Sequence, residues 1–153
     1  MTHSIGLYVH VPFCMPAKCP YCDFYSVRLT DTLAKRYTQA LKIAAHAYAK
    51  RLSDCVITSI YFGGGTPTLL EEQLTELLTY FQATFHVASN AEITVEANPG
   101  GNLETILPQL HAAGSTRLSL GMQSAPAMEL CSLGRQHTML DTCTSSTSYP
   151  AAE

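Results

Sequence analysis

The sequence predicts an α/β protein with about four parallel βα units, arranged as part of a barrel whose lumen carries polar side chains. Three features predict this fold class. First, β-rich segments alternate with segments of helical periodicity over residues 5–134. Second, the helical segments are long enough to serve as right-handed crossovers between parallel strands. Third, three of the four predicted strands alternate apolar and polar residues, so that one face would meet the helices and the other would be polar.

The first βα unit begins with a predicted strand at residues 5–13, which leads into a loop containing three cysteines. A helix follows, because apolar residues recur there at three- and four-residue spacing. These residues are Leu33, Tyr37, Leu41, Ala44, Tyr48 and Leu52. The second strand is predicted at residues 56–62 and ends in the glycine triplet 63–65, followed by Thr66 and Pro67.

Two further strands and two further helices complete the alternation. Residues 68–71 match a capping box, which predicts a helix start. Gly114 stands where the C-cap of a later helix belongs. The predicted segments are, in chain order, a helix at 70–85, a strand at 92–98, a helix at 103–113, a strand at 116–123 and a short helix at about 124–134.

The alternation within the strands assigns residues to a polar face. In the third strand the polar residues Thr94, Glu96 and Asn98 share one parity, opposite to the apolar residues between them. Successive side chains of a strand point to opposite faces of the sheet. A half-exposed sheet would produce the same pattern, but combined with helical crossovers it favours a barrel with a ligand-filled polar lumen.

The bulk composition predicts one ordered domain and excludes several functional classes. The 153 residues are 46% apolar and 14% charged, which permits a sizeable core. A net charge of −3 and a pI of about 6.0 predict no nucleic-acid partner. We expect no membrane insertion and no secretory leader, and hence a cytoplasmic protein. Residues 1–138 form the predicted domain, whereas 139–153 are rich in Thr and Ser without periodicity and are expected to be disordered.

The cysteines fall into one cluster and three scattered positions. Cys14, Cys19 and Cys22 lie within nine residues, whereas three others are far apart and are interpreted as small apolar fillers. The scattered three are Cys55, Cys131 and Cys143. In a cytosolic chain the cluster indicates ligands or nucleophiles rather than disulfides.

Three interpretations of the cysteine cluster remain open from the residues alone. Three thiolates with one open position suit an iron–sulfur cluster that binds a further ligand at its fourth iron. His10 with the three cysteines could form a tetrahedral zinc site, although His10 lies on the predicted strand. Cys19 and Cys22 form a C-x-x-C, typical of thiol-redox proteins, which leaves Cys14 without a role.

Six motifs, one of which contains the glycine triplet, make the chain resemble the radical S-adenosylmethionine (SAM) superfamily. Within it, they resemble the oxygen-independent coproporphyrinogen-III oxidase family. The motifs occupy residues 8–14, 19–24, 63–67, 92–100, 117–124 and 134–138. Each is weak alone, but their order and separations match the family over residues 5–138. Asp23 and Phe24 stand where the oxidases carry a further cysteine, and this feature resembles the HemW-like heme chaperone subfamily.

The resemblance implies a 4Fe–4S cluster, SAM, an electron donor and, in full-length members, heme or a porphyrin. The implied cluster ligands are Cys14, Cys19 and Cys22. The implied SAM-binding positions are Tyr8, Gly64, Gly65, Thr66 and Glu96, with Tyr21, Gln123 and Arg135 as further contacts found in the oxidases. No catalytic side chain is assigned. The implied role is heme transfer, with SAM-dependent porphyrinogen oxidation as the alternative, and a zinc or thiol-redox module is the alternative of another class.

The chain departs from this family in two respects. Its first two cysteines are spaced C-x4-C, one residue more than the C-x3-C of the family. The family barrel has about six βα units, of which this chain supplies about four. We therefore expect a C-terminally truncated version of the family, in which enzymatic activity is uncertain.

Overall fold

The computed structural model describes residues 3–149, which form six strands, five α-helices and one 3₁₀ helix. The strands are β1 (His3–Val11), β2 (Phe13–Cys14), β3 (Val27–Arg28), β4 (Cys55–Gly64), β5 (Val87–Ala97) and β6 (Arg117–Leu120). The helices are α1 (Asp31–Arg51), α2 (Glu72–Thr84), α3 (Leu103–Ala112), α4 (Ala127–Ser132) and α5 (Met139–Thr147), with the 3₁₀ helix at Pro67–Leu70.

The main sheet is parallel and has the order β1-β4-β5-β6. Helices α1, α2 and α3 connect its successive strands, so the predicted α/β fold of about four parallel βα units is confirmed. All four strands end at the same edge of the sheet. The loops that carry the predicted motifs therefore lie side by side at that edge.

A second, two-stranded sheet closes the base of the cysteine loop. Strand β2 pairs with β3 in parallel, matching Phe13 with Val27 and Cys14 with Arg28. The backbone N–H of Val27 also donates to the carbonyl of Pro12 at 2.7 Å. The two ends of the cysteine loop are thus tied together next to the end of β1.

The core lies between one face of the main sheet and the helices. Apolar side chains of one parity on β1, β4 and β5 are buried against leucines of α2 and α3, as the alternation predicted. The fully buried members include Val11, Phe62, Val95, Leu74, Leu77, Leu78, Leu107 and Leu110. The opposite parity faces the lumen, where Tyr8 is 59% exposed. The polar face predicted from the sequence is therefore real.

Helix α2 does not start with the predicted capping box. Residues 67–70 form the 3₁₀ helix instead, and α2 begins at Glu72 without a side-chain cap. Glu71 has a φ of 50°, which breaks the helical path at the point where the box would form. Its carboxylate accepts a hydrogen bond from Asn102 Nδ2 at 2.7 Å, so its partner lies at the start of α3 rather than in α2.

The expected disorder after Met139 is wrong for residues 139–147, which form α5. Thr138 Oγ1 accepts from the N–H of Asp141, and the Asp141 carboxylate accepts from the N–H of Thr138, which completes a capping box. Ser145 is buried and accepts from the N–H of Gly100, while Tyr149 donates to the carbonyl of Ser115 at 2.7 Å. The helix therefore starts near the C-terminal end of β5 and ends near the start of β6, in the place of a crossover helix. The expected disorder of 150–153 lies outside the described residues.

Among residues 3–149, no helix combines the length and apolar composition that crossing a membrane requires.

Candidate functional site

One cavity of about 430 Å³ lies at the carboxyl ends of the strands of the main sheet. Its lining comes from the cysteine loop, from the segment after β4, from residues 98–103 after β5 and from residues 134–137 before α5. Its polar or thiol-bearing lining includes Cys14, Cys19, Thr66, Asn98, Arg135 and Asp141. A cavity of this size at the carboxyl ends of parallel strands is the usual place for a small-molecule ligand in an α/β fold.

A second polar group lies on the lumen face of the sheet and is centred on Glu96. The Tyr61 hydroxyl donates to Glu96 Oε1 at 2.6 Å, and the N–H of Gly64 donates to Oε2 at 3.1 Å. The Tyr8 ring stacks on Tyr61 with centroids 6.0 Å apart and an interplanar angle of 29°. Burial raises the pKa of the Tyr8 hydroxyl, and the charge of Glu96 raises it further. The two phenols therefore stay protonated donors beside the carboxylate.

The glycine triplet makes room for the protein's own groups. A Cβ at Gly63 would lie 2.9 Å from Glu96 Oε2, and one at Gly64 would lie 2.5 Å from the His10 ring. A Cβ at Gly65 would collide with the Phe13 carbonyl. Gly64 also has a φ of 106°, which L side chains rarely adopt. The triplet thus lets Glu96, the His10 ring and the start of the cysteine loop close around the end of β4.

His10 anchors the cysteine loop. Its Nε2 lies 2.9 Å from the carbonyl oxygen of Tyr25, and its Nδ1 lies 3.2 Å from the Tyr8 hydroxyl. Because a carbonyl only accepts, Nε2 carries the proton and Nδ1 accepts from Tyr8 in the neutral ring. Both nitrogens are occupied within the protein. A zinc site that uses His10 would displace the hydrogen bond at whichever ring nitrogen bound the metal.

The three clustered cysteines share one loop but are not drawn together in this conformation. Cys14, Cys19 and Cys22 are all partly exposed, and the N–H of Cys22 donates to the carbonyl of Cys19 at 3.0 Å in a turn. Within residues 3–149, no three Cys, His, Asp or Glu side chains are gathered closely enough to hold a metal ion. Three thiols on one loop, two of which line the cavity, fit an iron–sulfur cluster in donor chemistry. Ligation by all three would require the loop to bring their sulfurs together.

Arg135 connects three of the strand-end loops. One terminal nitrogen donates to Asn98 Oδ1 at 2.6 Å and to the carbonyl of Gly121 at 2.8 Å, and the other donates to Cys19 Sγ at 3.4 Å. Asn98 Nδ2 in turn donates to Thr66 Oγ1 at 2.9 Å. The buried Nε of Arg135 has no partner among residues 3–149. Arg135 and Asn98 therefore link the segments after β1, β4, β5 and β6.

Two of the remaining predicted residues lie near Arg135. Burial raises the pKa of the Tyr21 hydroxyl, and a hydrogen bond with Cys19 adds to this shift while Arg135 opposes it. Gln123 is exposed and has a φ of 66°. The Gln123 amide is close to Gly121, since a Cβ there would lie 3.2 Å from Gln123 Nε2. Each residue thus lies next to a partner of Arg135, Tyr21 next to Cys19 and Gln123 next to Gly121, outside the lining of the cavity itself.

The structure divides the predicted residues into two neighbouring groups. Tyr8 and Glu96 lie on the lumen face, where the N–H of Gly64 bonds to Glu96, whereas Cys14, Cys19, Thr66 and Arg135 line the cavity. Sequence reasoning assigned no role to Tyr61 or Gly63, although both have the lumen parity on β4. It also missed Asn98 as the bridge, although Asn98 shares the parity of Glu96.

The scattered cysteines follow the prediction only in part. Cys55 is half-buried, while Cys131 and Cys143 are exposed on α4 and α5. The interpretation of those two as apolar fillers is wrong. Neither lies in the lining of the cavity described above.

Comparison with known proteins finds matches over most of this chain. Residues 8–139 match the model of the radical SAM superfamily. The chain is 39% identical over 137 residues to the heme chaperone HemW of Mycobacterium tuberculosis, covering 87% of this chain and 35% of the relative. It is 35% identical over 121 residues to the oxygen-independent coproporphyrinogen III oxidase of Salmonella typhimurium, covering 78% of this chain and 26% of the relative.

A solved structure agrees with these sequence matches. Coproporphyrinogen III oxidase (HemN) from Escherichia coli, described as a radical SAM enzyme, superposes with a TM-score of 0.87 and 26% identity. The match covers 96% of this chain and 34% of that one. The chain therefore spans about a third of the length of the HemW and HemN proteins that it matches.

Proposed function

This chain belongs to the radical SAM superfamily, and from that membership we propose that it binds a 4Fe–4S cluster and SAM in the service of heme transfer. The sequence similarity to proteins named heme chaperones supports the heme-transfer part. Asp23 and Phe24, which replace the further cysteine of the oxidases, support the same assignment. Heme transfer is proposed for the whole protein, to which this chain contributes the cofactor-binding part.

The observation that carries the SAM proposal is the hydrogen bonding of the Glu96 carboxylate. Each of its two oxygens accepts one hydrogen bond from within the protein, from Tyr61 and from Gly64. A carboxylate offers about four lone-pair sites, so each oxygen keeps one for an outside donor. Two adjacent hydroxyls of a ribose would supply two donors to those two sites. The polar lumen face around Tyr8 and Glu96 suits the adenosine part of SAM.

The cluster would be held by Cys14, Cys19 and Cys22. When bound, such a cluster supplies the electron for reductive cleavage of SAM. The residues of this chain bind and orient: Gly64, Gly65 and Thr66 at the end of β4 would meet the methionine part of SAM. Arg135 lines the cavity, with Tyr21 and Gln123 close to its partners, and all three would make further contacts, for which Arg135 supplies a positive charge opposite a carboxylate.

Anaerobic reconstitution with iron and sulfide tests the cluster. We expect a broad absorption shoulder in the visible range and, after reduction, an EPR signal that changes when SAM is added. Cys22→Ser should abolish both, whereas the exposed Cys131→Ser serves as a matched control and should leave both unchanged. Bound zinc with no iron, or a dithiol that reduces glutathione mixed disulfides, would instead support the zinc or thiol-redox alternative.

Porphyrinogen oxidation is the second candidate, favoured by the structural match to the oxidase. The two functions differ in their readout. Heme transfer predicts that hemin binds and then passes to an apo-acceptor such as apomyoglobin without loss of carboxyl groups. Oxidation predicts SAM-dependent decarboxylation of coproporphyrinogen III. Both assays require a chain that includes the regions present in the longer relatives.

A further inference from the structure

We propose that Tyr61 is a positioning residue that holds the Glu96 carboxylate in the orientation needed to accept two hydrogen bonds from a vicinal diol, the ribose of an adenosyl ligand. This inference rests on the proposed function, because it concerns the same site. It adds two residues, Tyr61 and Gly63, to which the sequence assigned no role.

The strand register brings Tyr61 and Glu96 together. Strands β4 and β5 pair in parallel, with Tyr61 opposite Thr94 and Phe62 opposite Val95. Glu96 therefore lies one lumen-facing position beyond Tyr61 on the neighbouring strand. Diagonal neighbours on one face of a sheet are within reach of long side chains. The hydroxyl of Tyr61 consequently meets Oε1 at 2.6 Å, a short bond expected for an acceptor that is charged.

Gly63 supplies the space into which the carboxylate turns. A Cβ there would lie 2.7 Å from Tyr61 Cε1 and 2.9 Å from Glu96 Oε2, both closer than side chains tolerate. With no side chain at that position, Oε2 reaches the N–H of Gly64 at 3.1 Å. The carboxylate is thus fixed at both oxygens, by a side chain on one and by the backbone on the other. Fixing both oxygens removes the rotation that a free glutamate would lose on binding a ligand.

Tyr61 is itself held in place from the other side. The Tyr8 ring stacks against it, and the Tyr8 hydroxyl is fixed by His10 Nδ1. The hydrogen bond to Glu96, followed by burial, raises the pKa of the Tyr61 hydroxyl, so the phenol remains a donor at neutral pH. The row of Tyr8, Tyr61 and Glu96 lies on the lumen face, outside the apolar core. Removal of the hydroxyl should therefore change ligand binding without disturbing the packing of the core.

The test compares an adenosyl ligand with its analogue that lacks the ribose hydroxyls. S-adenosylhomocysteine and its 2′,3′-dideoxy analogue are titrated calorimetrically into the reconstituted chain and into Tyr61→Phe. We expect Tyr61→Phe to bind S-adenosylhomocysteine about tenfold more weakly, as loss of a bond to a charged acceptor predicts. The dideoxy analogue should bind wild type and Tyr61→Phe equally, because it has no hydroxyls for Glu96 to accept.

Two further variants sharpen the result. Tyr80→Phe is the matched control, since the Tyr80 hydroxyl donates to the Lys42 carbonyl on the helical side of the sheet, away from Glu96, and it should change neither affinity. Gly63→Ala should reproduce the selective loss by displacing the carboxylate, which keeps the proposal testable if Tyr61→Phe fails to fold.

Each other outcome has a defined meaning. Equal affinity of wild type and Tyr61→Phe for S-adenosylhomocysteine overturns the positioning role while the proposed SAM site stands. An equal loss for both ligands overturns it as well, because it shows a packing role for Tyr61. If the reconstituted wild type binds neither ligand, the proposed function fails and the inference falls with it.

Discussion

Replacing Arg135 with glutamine should destabilise the chain by about 2–3 kcal/mol, because one guanidinium ties three strand-end loops together. The substitution removes the hydrogen bonds that the guanidinium donates to Asn98 Oδ1, to the carbonyl of Gly121 and to Cys19 Sγ. All three partners come from different parts of the chain, and Cys19 is 116 positions away. The hydrogen bonds of Arg135 therefore hold together residues that are far apart in the sequence, rather than stabilising a local turn.

The magnitude follows from the geometry of the guanidinium. A hydrogen bond from a charged donor contributes about 1.5–3 kcal/mol, and the bonds of Arg135 to Asn98 and Gly121 are both short. Against this, the buried Nε of Arg135, which has no partner within residues 3–149, costs about 1–3 kcal/mol. The bond to sulfur is weak and adds little. For a chain of this size the net loss corresponds to a fall in melting temperature of about 6–9 °C.

Urea denaturation of the apo chain, followed by circular dichroism, measures the effect. Arg51→Gln is the matched control, since Arg51 lies at the exposed end of α1 over the Tyr48 ring and should change stability by less than about 0.5 kcal/mol. If Arg135→Gln is no less stable than Arg51→Gln, then Arg135 does not tie the loops together, and the reasoning from its hydrogen bonds is refuted.

Two further predictions concern backbone and pH. Gly64→Ala should destabilise the chain by about 1–2 kcal/mol because Gly64 has a positive φ, and further because a Cβ there would displace the His10 ring. Gly101→Ala is the control, since Gly101 also has a positive φ but a Cβ there would meet nothing within 4 Å. Thermal unfolding of Gly101→Ala should therefore show the cost of the backbone conformation alone. Asp141 has its pKa lowered below the usual 3.8, chiefly by the N–H of Thr138, so its cap stabilises α5 above that value and loses its effect as pH falls through the lowered pKa. The protection of α5 amides against hydrogen exchange, corrected for the intrinsic pH dependence of exchange, should then fall at acid pH, and Asp141→Asn should remove that dependence; unchanged protection in wild type would contradict the assignment.

Much of the fold follows from patterns that sequence displays directly. Alternation on the strands placed Glu96 on the polar face, and it lies there, because parity is a local property of extended backbone. The helical stripes of α2 and α3 likewise supply the buried leucines. What parity cannot supply is the register between strands, and the contact of Tyr61 with Glu96 depends on that register. From the sequence alone, Tyr61 is indistinguishable from the apolar residues of a buried strand.

The errors have equally specific causes. The box predicted at residues 68–71 matches the capping pattern, but Glu71 bonds to Asn102, a partner that local sequence does not reveal. For α5 the opposite holds: Thr138 and Asp141, three residues apart, match a capping pattern, but the expectation of disorder rested on the missing apolar periodicity alone. The helix is stabilised instead by polar contacts of Ser145 and by Tyr149.

The lumen-face group and the cavity group stand on parts of the fold that bury different amounts of apolar side chain, and this difference matters for the proposed function. Tyr8, Tyr61 and Glu96 stand on β1, β4 and β5, whose opposite faces form the buried core. Arg135 and its partner carbonyl at Gly121 follow β6, a strand of four residues with only half-buried apolar side chains. Local opening starts where few apolar side chains are buried. The carboxylate proposed to hold the ribose is therefore fixed by strands that carry the buried core. The contact of Arg135 with Cys19 belongs to a part that should open more easily, which is also where the cysteine loop would have to rearrange to gather its three sulfurs around the proposed cluster.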